Sequence, residues 1–129
     1  MVAVDTNVLV RLLVADNAGQ AVRAASLFRA NRIFIAKSVL LETEWVLRHL
    51  YKFRPIEILR TLQRLLGLEN VTVEDPSAAA DALQMLEKGL DFADALHLAS
   101  SAQAERFATF DAKLAARAKG VTTLAVMAL

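Results

Sequence analysis

The 129 residues contain no cysteine, which removes disulfides, thiolate nucleophiles and cysteine-ligated zinc from consideration. Proline and glycine are scarce, two and four residues, so helices joined by short connections are expected rather than long loops. No apolar run approaches the roughly 18 residues of a membrane span. The N-terminus carries no basic leader, and Asp5 interrupts its first apolar run, so no signal peptide is read there. These absences give a cytoplasmic protein without membrane contact as the expectation. Repeats, low-complexity stretches and linkers are also missing, and the 56% of hydrophobic residues suffices for one core. A single domain over residues 1–129 is therefore expected.

A net charge of +1 says nothing by itself about nucleic acid, but the charges are unevenly placed. Residues 1–64 hold ten Lys and Arg against five acids, and residues 65–129 hold five against nine. A basic surface beside an acidic cleft is one reading, and solvated helix faces are the other.

Short apolar runs alternate with helical periodicity. Val2–Val4, Ile33–Ile35, Val71–Val73, Phe107–Phe110 and Val121–Leu124 read as strands. Helices are expected over Asn7–Ala15, Ala18–Ala30, from a Ser38 cap to about Tyr51, and over Ile56–Leu66 after Pro55. Three more follow: from Asp75-Pro76-Ser77 to Gly89, Phe92–Arg106, and Ala112–Lys119 stopped by Gly120. This alternation implies an α/β domain with a mostly parallel sheet of about five short strands, covered on both faces. The apolar tail Ala125–Leu129 needs cover from the core or from a partner chain.

In such a sheet the strands end at one edge, where ligands bind. Asp5 follows the first strand and Asp111 the fourth; Asp94 opens the helix feeding the fourth, and Glu42 lies a turn into the helix after the second. Each has an ordinary alternative. Thr6, Asn7 or Asp111 can cap helices, Asp91 and Asp94 have capping-box spacing, and Glu42 can be a plain helical acid. Gathered together, however, carboxylates repel by roughly 4 kcal/mol per pair at 4 Å and an effective dielectric of 20, and so take up protons or recruit a cation. An all-oxygen set favours Mg²⁺ or Mn²⁺ over zinc.

Asp5-Thr6-Asn7, Glu42 within VLLETEWVL, Asp94 within DFADALHLA and Asp111 within ATFD together resemble the PIN-domain family, most of all the VapC-type toxins of bacterial toxin–antitoxin pairs. The resemblance covers essentially the whole chain. It implies a PIN-like fold, a three-layer α/β/α sandwich on a Rossmann-like parallel sheet, and with it a Mg²⁺- or Mn²⁺-dependent endoribonuclease, a homodimer, and neutralisation by a cognate antitoxin that inserts into the acidic pocket. It places Asp5, Glu42, Asp94 and Asp111 in the family's acidic quartet, with Asn7 and Thr109 as polar supports. Glu44 competes with Glu42 but has an i,i+4 partner in Arg48, and Asp91 competes with Asp94 but suits a cap.

On this reading Asp5, Asp94 and Asp111 hold the metal and activate a water that cuts RNA phosphodiesters, with Glu42 or Asp94 orienting that water. Thr6 and Asn7 would fix Asp5. Arg11, Lys37, Arg48, Lys52 and Arg54 would guide the RNA backbone, and Trp45, Tyr51 and Phe53 offer either base stacking or packing. His97 is expected beside Asp94 or in the core, and His49 on the surface. The stretch 38–66 is expected to supply dimer and antitoxin contacts. A phosphatase using a second Asp two positions after the first is excluded by Asn7. The rival from another class is a PIN-like protein without catalysis that binds RNA or acts through a partner.

Overall fold

Val2 and Ala3 form β1 (Val2–Ala3), the shortest strand of a computed structural model that describes residues 1–129. There follow α1 (Thr6–Leu13), α2 (Ala18–Ala30), β2 (Ile33–Ile35), α3 (Lys37–His49), α4 (Pro55–Leu66) and β3 (Val71–Val73). The remainder is α5 (Pro76–Glu87), α6 (Phe92–Ala99), β4 (Arg106–Thr109), α7 (Ala112–Ala118) and β5 (Ala125–Ala128). Seven helices and five short strands, every strand pairing parallel, make this the α/β fold that the alternation implies. Backbone contacts group the chain into two compact units, Met1–Pro76 and Ser77–Leu129, and each holds its own sheet.

In the first unit the order is β1-β2-β3, with Val2 opposite Ile33 and Ile33 opposite Val71. Ile33 and Ile35 are fully buried, as the two-residue period of a strand requires for one face. Helix α4 buries Ile58, Leu59, Leu62 and Leu65, an i, i+1, i+4, i+7 stripe, and packs against α3 and β3. Helix α1 turns Leu9 and Val10 inward and packs against α2 and α3. Leu40, Leu47 and Leu62 are fully buried; truncating any one to alanine removes about 2–5 kcal/mol. Asn70, just before β3, donates its amide to the carbonyls of Phe28 (2.6 Å) and Asn31 (3.0 Å), satisfying the open end of α2.

In the second unit β4 and β5 pair along four residues, Arg106 opposite Ala125 through Thr109 opposite Ala128, and α7 packs on both. The apolar tail thus pairs its backbone as a strand, while Met127 and Leu129 stay exposed rather than covered by the core. Strand β5 lies four residues later than the expected Val121–Leu124. The amides of Val121 and Thr122 both bond to the carbonyl of Ala118 (3.2 Å each), and that of Leu124 to Thr122 Oγ1 (3.2 Å). Those donors belong to a turn and are lost to a ladder. Helix α6 stops at Ala99, well short of Arg106: Ser101 Oγ bonds back to the His97 carbonyl (2.7 Å), the competition by which serine ends helices.

The starts of two helices also differ from expectation. Asp5, rather than Thr6 or Asn7, caps α1. Ser38 does not cap α3; the cap position is Ala36, and the orphan amide of Lys37 is taken by Glu74 Oε1 (2.9 Å) from just past β3. No helix is long and apolar enough to cross a membrane.

Candidate active site

Asp5 lies two residues beyond β1 in extended backbone, and its carboxylate accepts the amide of Thr6 (2.7 Å). That bond fixes the acid at the head of α1. Thr6 is buried, and its hydroxyl donates to Glu42 Oε1 in a short hydrogen bond that crosses from α1 to α3. Thr6 therefore links two acids 37 residues apart, one through its amide and one through its hydroxyl. Asp5, Asn7 and Glu42 are exposed and, with Thr6, line a cavity of about 300 Å³ that Arg11 and Tyr51 also line.

The structure separates Glu42 from Glu44 clearly. Two residues are about 200° apart on a helix, so the pair faces opposite ways. Glu44 is only 2% exposed and accepts both Nε (2.8 Å) and Nη2 (3.2 Å) of Arg48, the i,i+4 pair the spacing suggests. Its charge is matched inside the fold, whereas Glu42 stands on the open cavity.

Most of the cations expected along an RNA path are matched as well. Arg11 bonds Asp16 (3.1 Å), Tyr51 Oη (3.3 Å) and Gln20; Lys37 pairs with Asp75 (3.2 Å); Arg48 pairs with Glu44 and Arg54 with Glu57 (3.1 Å). Lys52 is exposed, in left-handed backbone (φ 57°). The Tyr51 hydroxyl donates to Asp16 (2.7 Å) and, ahead of Arg11, holds that carboxyl below the ordinary aspartate value. His49 is exposed, as expected, and stacks on the half-exposed Trp45 with ring centres 4.3 Å apart.

The second unit repeats the strand–acid–helix construction. Asp111 lies two residues beyond β4 and caps α7 by accepting the amide of Leu114 (3.0 Å), while its own amide donates to Thr109 Oγ1 (3.0 Å). Thr109 is itself tied to the end of β5, its carbonyl accepting the amide of Leu129 (2.8 Å). Asp91 caps α6 through the amide of Asp94 (3.3 Å), so the carboxylate in competition with Asp94 is engaged with backbone. Asp94, half-buried in the first turn, has its carboxyl pushed up, first by burial and then by the charges of Asp91 and Asp111; His97, exposed one turn on, opposes the shift.

Neither unit by itself gathers three His, Asp or Glu side chains into a metal-holding group. The donor chemistry nevertheless fits a divalent cation. The candidate ligands are carboxylate oxygens, sulfur ligands are absent, and Asp94 lies in the field of two further acids. A bound cation would remove the repulsion that raises Asp94. Sequence reasoning missed Glu74 and Asp75, which directly follow β3 and engage Lys37; their place in Val73-Glu74-Asp75 was the available signal. The Arg11–Asp16–Tyr51 network was missed too, since nothing local joins the end of α1 to the end of α3.

Short parallel strands whose terminal acids cap the following helix define a class of α/β domain that presents acidic chemistry at strand ends. The PIN-domain family model matches residues 2–120, and the chain belongs to that family. PIN domains are generally nucleases and typically use divalent metal ions, so membership points to a nuclease-type function. A comparison with curated proteins finds no match to the chain.

Proposed function

We propose that the chain is a cytoplasmic Mg²⁺- or Mn²⁺-dependent endoribonuclease, the VapC-type toxin of a toxin–antitoxin pair. It acts as one PIN-like domain, works as a homodimer and is silenced by a cognate antitoxin. The supporting observation is the construction found twice in a family-matched chain: an acid two residues past a parallel strand, locked as the cap of the next helix. Such locking holds a carboxylate in place before any substrate arrives.

Asp5, Asp94 and Asp111 are the proposed metal ligands. A divalent ion held by them would supply charge stabilisation at the scissile phosphate and a more acidic water. Glu42, fixed by the Thr6 hydroxyl, orients the attacking water and accepts its proton. Thr6 sets both acids of the first unit, Asn7 borders the same cavity, and Thr109 holds the backbone of Asp111. The Asp94 carboxyl is raised first by burial and then by the charges of Asp91 and Asp111, and a bound cation would assist its ionisation.

The test is cleavage of unpaired RNA by wild type and Asp5→Asn in Mg²⁺, Mn²⁺ or EDTA. Wild type should cut only with metal, and Asp5→Asn should lose about 100-fold or more, in line with removal of a group acting directly at the reacting centre. Equal cleavage in EDTA refutes the metal mechanism. Binding of RNA with no cleavage under any condition moves the chain to the non-catalytic reading. Growth arrest on induction, relieved by co-expressing the small neighbouring gene, checks the toxin assignment; harmless expression of an active nuclease counts against it.

A further inference from the structure

Phe110 is the most exposed large apolar side chain of the protein, at 86%. It stands between Thr109 and Asp111, on the link from β4 to α7. An apolar residue just before a helix cap ordinarily folds onto the fourth residue of that helix. Here that residue is Ala115, which is buried without help from Phe110. The link is also braced on both sides, by the Asp111 amide on Thr109 Oγ1, the Leu114 amide on Asp111 Oδ1 and the Leu129 amide on the Thr109 carbonyl. The aromatic ring is thus held in solvent by a fixed backbone, one residue from a candidate catalytic acid.

Helix α7 continues the pattern. Lys113 and Arg117 are four residues apart, hence on one helical face, and both are exposed. Unlike Arg11, Lys37, Arg48 and Arg54, neither is paired with an acid.

We infer that Phe110, Lys113 and Arg117 form a track for single-stranded RNA, Phe110 stacking on an unpaired base and the two cations meeting phosphates. Aromatic platforms combined with cations are how unpaired strands are bound without sequence readout. The alternative occupant is a second copy of the chain, since Leu129 and Met127 on the adjoining strand end are also exposed. An apolar interface there would have to desolvate Lys113 and Arg117, neither of which has an acid partner within the chain, which favours the phosphate backbone. The track rests on the nuclease reading for its substrate class, but binding alone tests it.

The probe is a fluorescent oligouridylate, with anisotropy read in EDTA across a salt series and RNA integrity checked on a gel. Phe110→Ala should weaken binding about 5- to 150-fold, the cost of one lost stack, while Phe110→Tyr and Phe110→Trp stay within about twofold of wild type. Replacing both Lys113 and Arg117 by Gln should reduce the slope of log affinity against log salt by about 1.4, or about 0.7 for each lost phosphate contact. Blunt duplex RNA should not register Phe110→Ala. With Mg²⁺, Phe110→Ala should raise KM for unpaired RNA and leave kcat within about threefold. Wild-type affinity in Phe110→Ala overturns the track, as does a wild type that binds no RNA. So does a variant whose defect is dissociation of a dimer in sedimentation. A wild type that binds through Phe110 yet never cuts refutes the nuclease and leaves the track. Cutting that ignores Phe110 does the reverse.

Discussion

Asp94→Asn should stabilise the protein at neutral pH while abolishing cleavage. Asp94 is the third residue of α6, where the helix dipole favours an acid by about 0.3–1 kcal/mol. Burial and the charges of Asp91 and Asp111 outweigh that help and the opposing field of His97, because the carboxyl is raised above its ordinary value of 3.8. A carboxyl whose pKa is higher folded than unfolded subtracts from stability when ionised. The subtraction is complete above the folded pKa, shrinks as pH falls through it, and is gone below the unfolded value. Asparagine keeps the shape and drops the charge. The gain at pH 7 should be about 0.5–1 kcal/mol, the scale on which relieving one functional-site conflict stabilises a domain. For a chain of this size that is roughly 2–4 °C in Tm.

Thermal unfolding followed by circular dichroism, in EDTA between pH 3.5 and 8, reads the effect directly. The two melting curves should converge as the solution is acidified, because the raised Asp94 carboxyl of the wild type takes up a proton and loses the charge that asparagine lacks. Added Mg²⁺ should reverse the order at pH 7. An ion bound to the folded wild type at ten times its Kd contributes about 1.4 kcal/mol, and the variant forgoes most of it. A variant less stable than wild type at pH 7 in EDTA refutes the reasoning. So does a difference in Tm that ignores pH, since it would trace to packing rather than charge.

Glu42 and Glu44 should behave oppositely when altered. Glu42→Gln should keep its Tm within a degree or two and lose cleavage, whereas Arg48→Met, which strands the buried Glu44 carboxylate, should cost about 2 kcal/mol and leave cleavage per folded molecule intact. Loss of cleavage with Arg48→Met at a temperature where it is fully folded would mean that Glu44 serves the site. Tyr51→Phe removes the main cause of the lowered Asp16 carboxyl. A lowered pKa adds stability above the unfolded value and loses it as pH falls through the folded one. The Tm gap between wild type and Tyr51→Phe should therefore be present at pH 6 and close in acid; a gap unchanged between pH 6 and pH 2.5 would assign the tyrosine a packing role alone.

Much of the fold was legible because it rests on local rules. The strands Ile33–Ile35 and Val71–Val73, helix α2 and the placement of Pro55 at the start of α4 all follow from apolar period and helix punctuation. The failures share one cause, backbone groups claimed by partners outside a helix or strand ladder. Ser101 took a carbonyl that a longer α6 needed, and Ala118 and Thr122 took the amides that would have made Val121–Leu124 a strand. Glu74 supplied a cap for α3 from 37 residues away, which made a local cap at Ser38 unnecessary. Periodicity reports which faces are apolar and is silent on who holds the orphan amides.

The site was legible to the extent that chain position fixes chemistry. An acid two residues past a strand is a cap and a candidate ligand at once, which is how Asp5 and Asp111 stood out. Charge counting leaves the RNA path open for a physical reason. The basic excess of the first half suggested an RNA path there, but a count of charges carries no information about pairing. Arg11 is held by Asp16 and Tyr51, Lys37 by Asp75, Arg48 by Glu44 and Arg54 by Glu57, and a cation so matched offers a phosphate little field beyond its own neutralised pair. In the acidic half Lys113 and Arg117 are unmatched, on the helix that follows an aromatic ring the fold leaves exposed. What draws a polyanion is the charge left over after the protein has satisfied itself. By that measure Lys113 and Arg117 of α7 can meet phosphates although the half of the chain that carries them has a negative net charge.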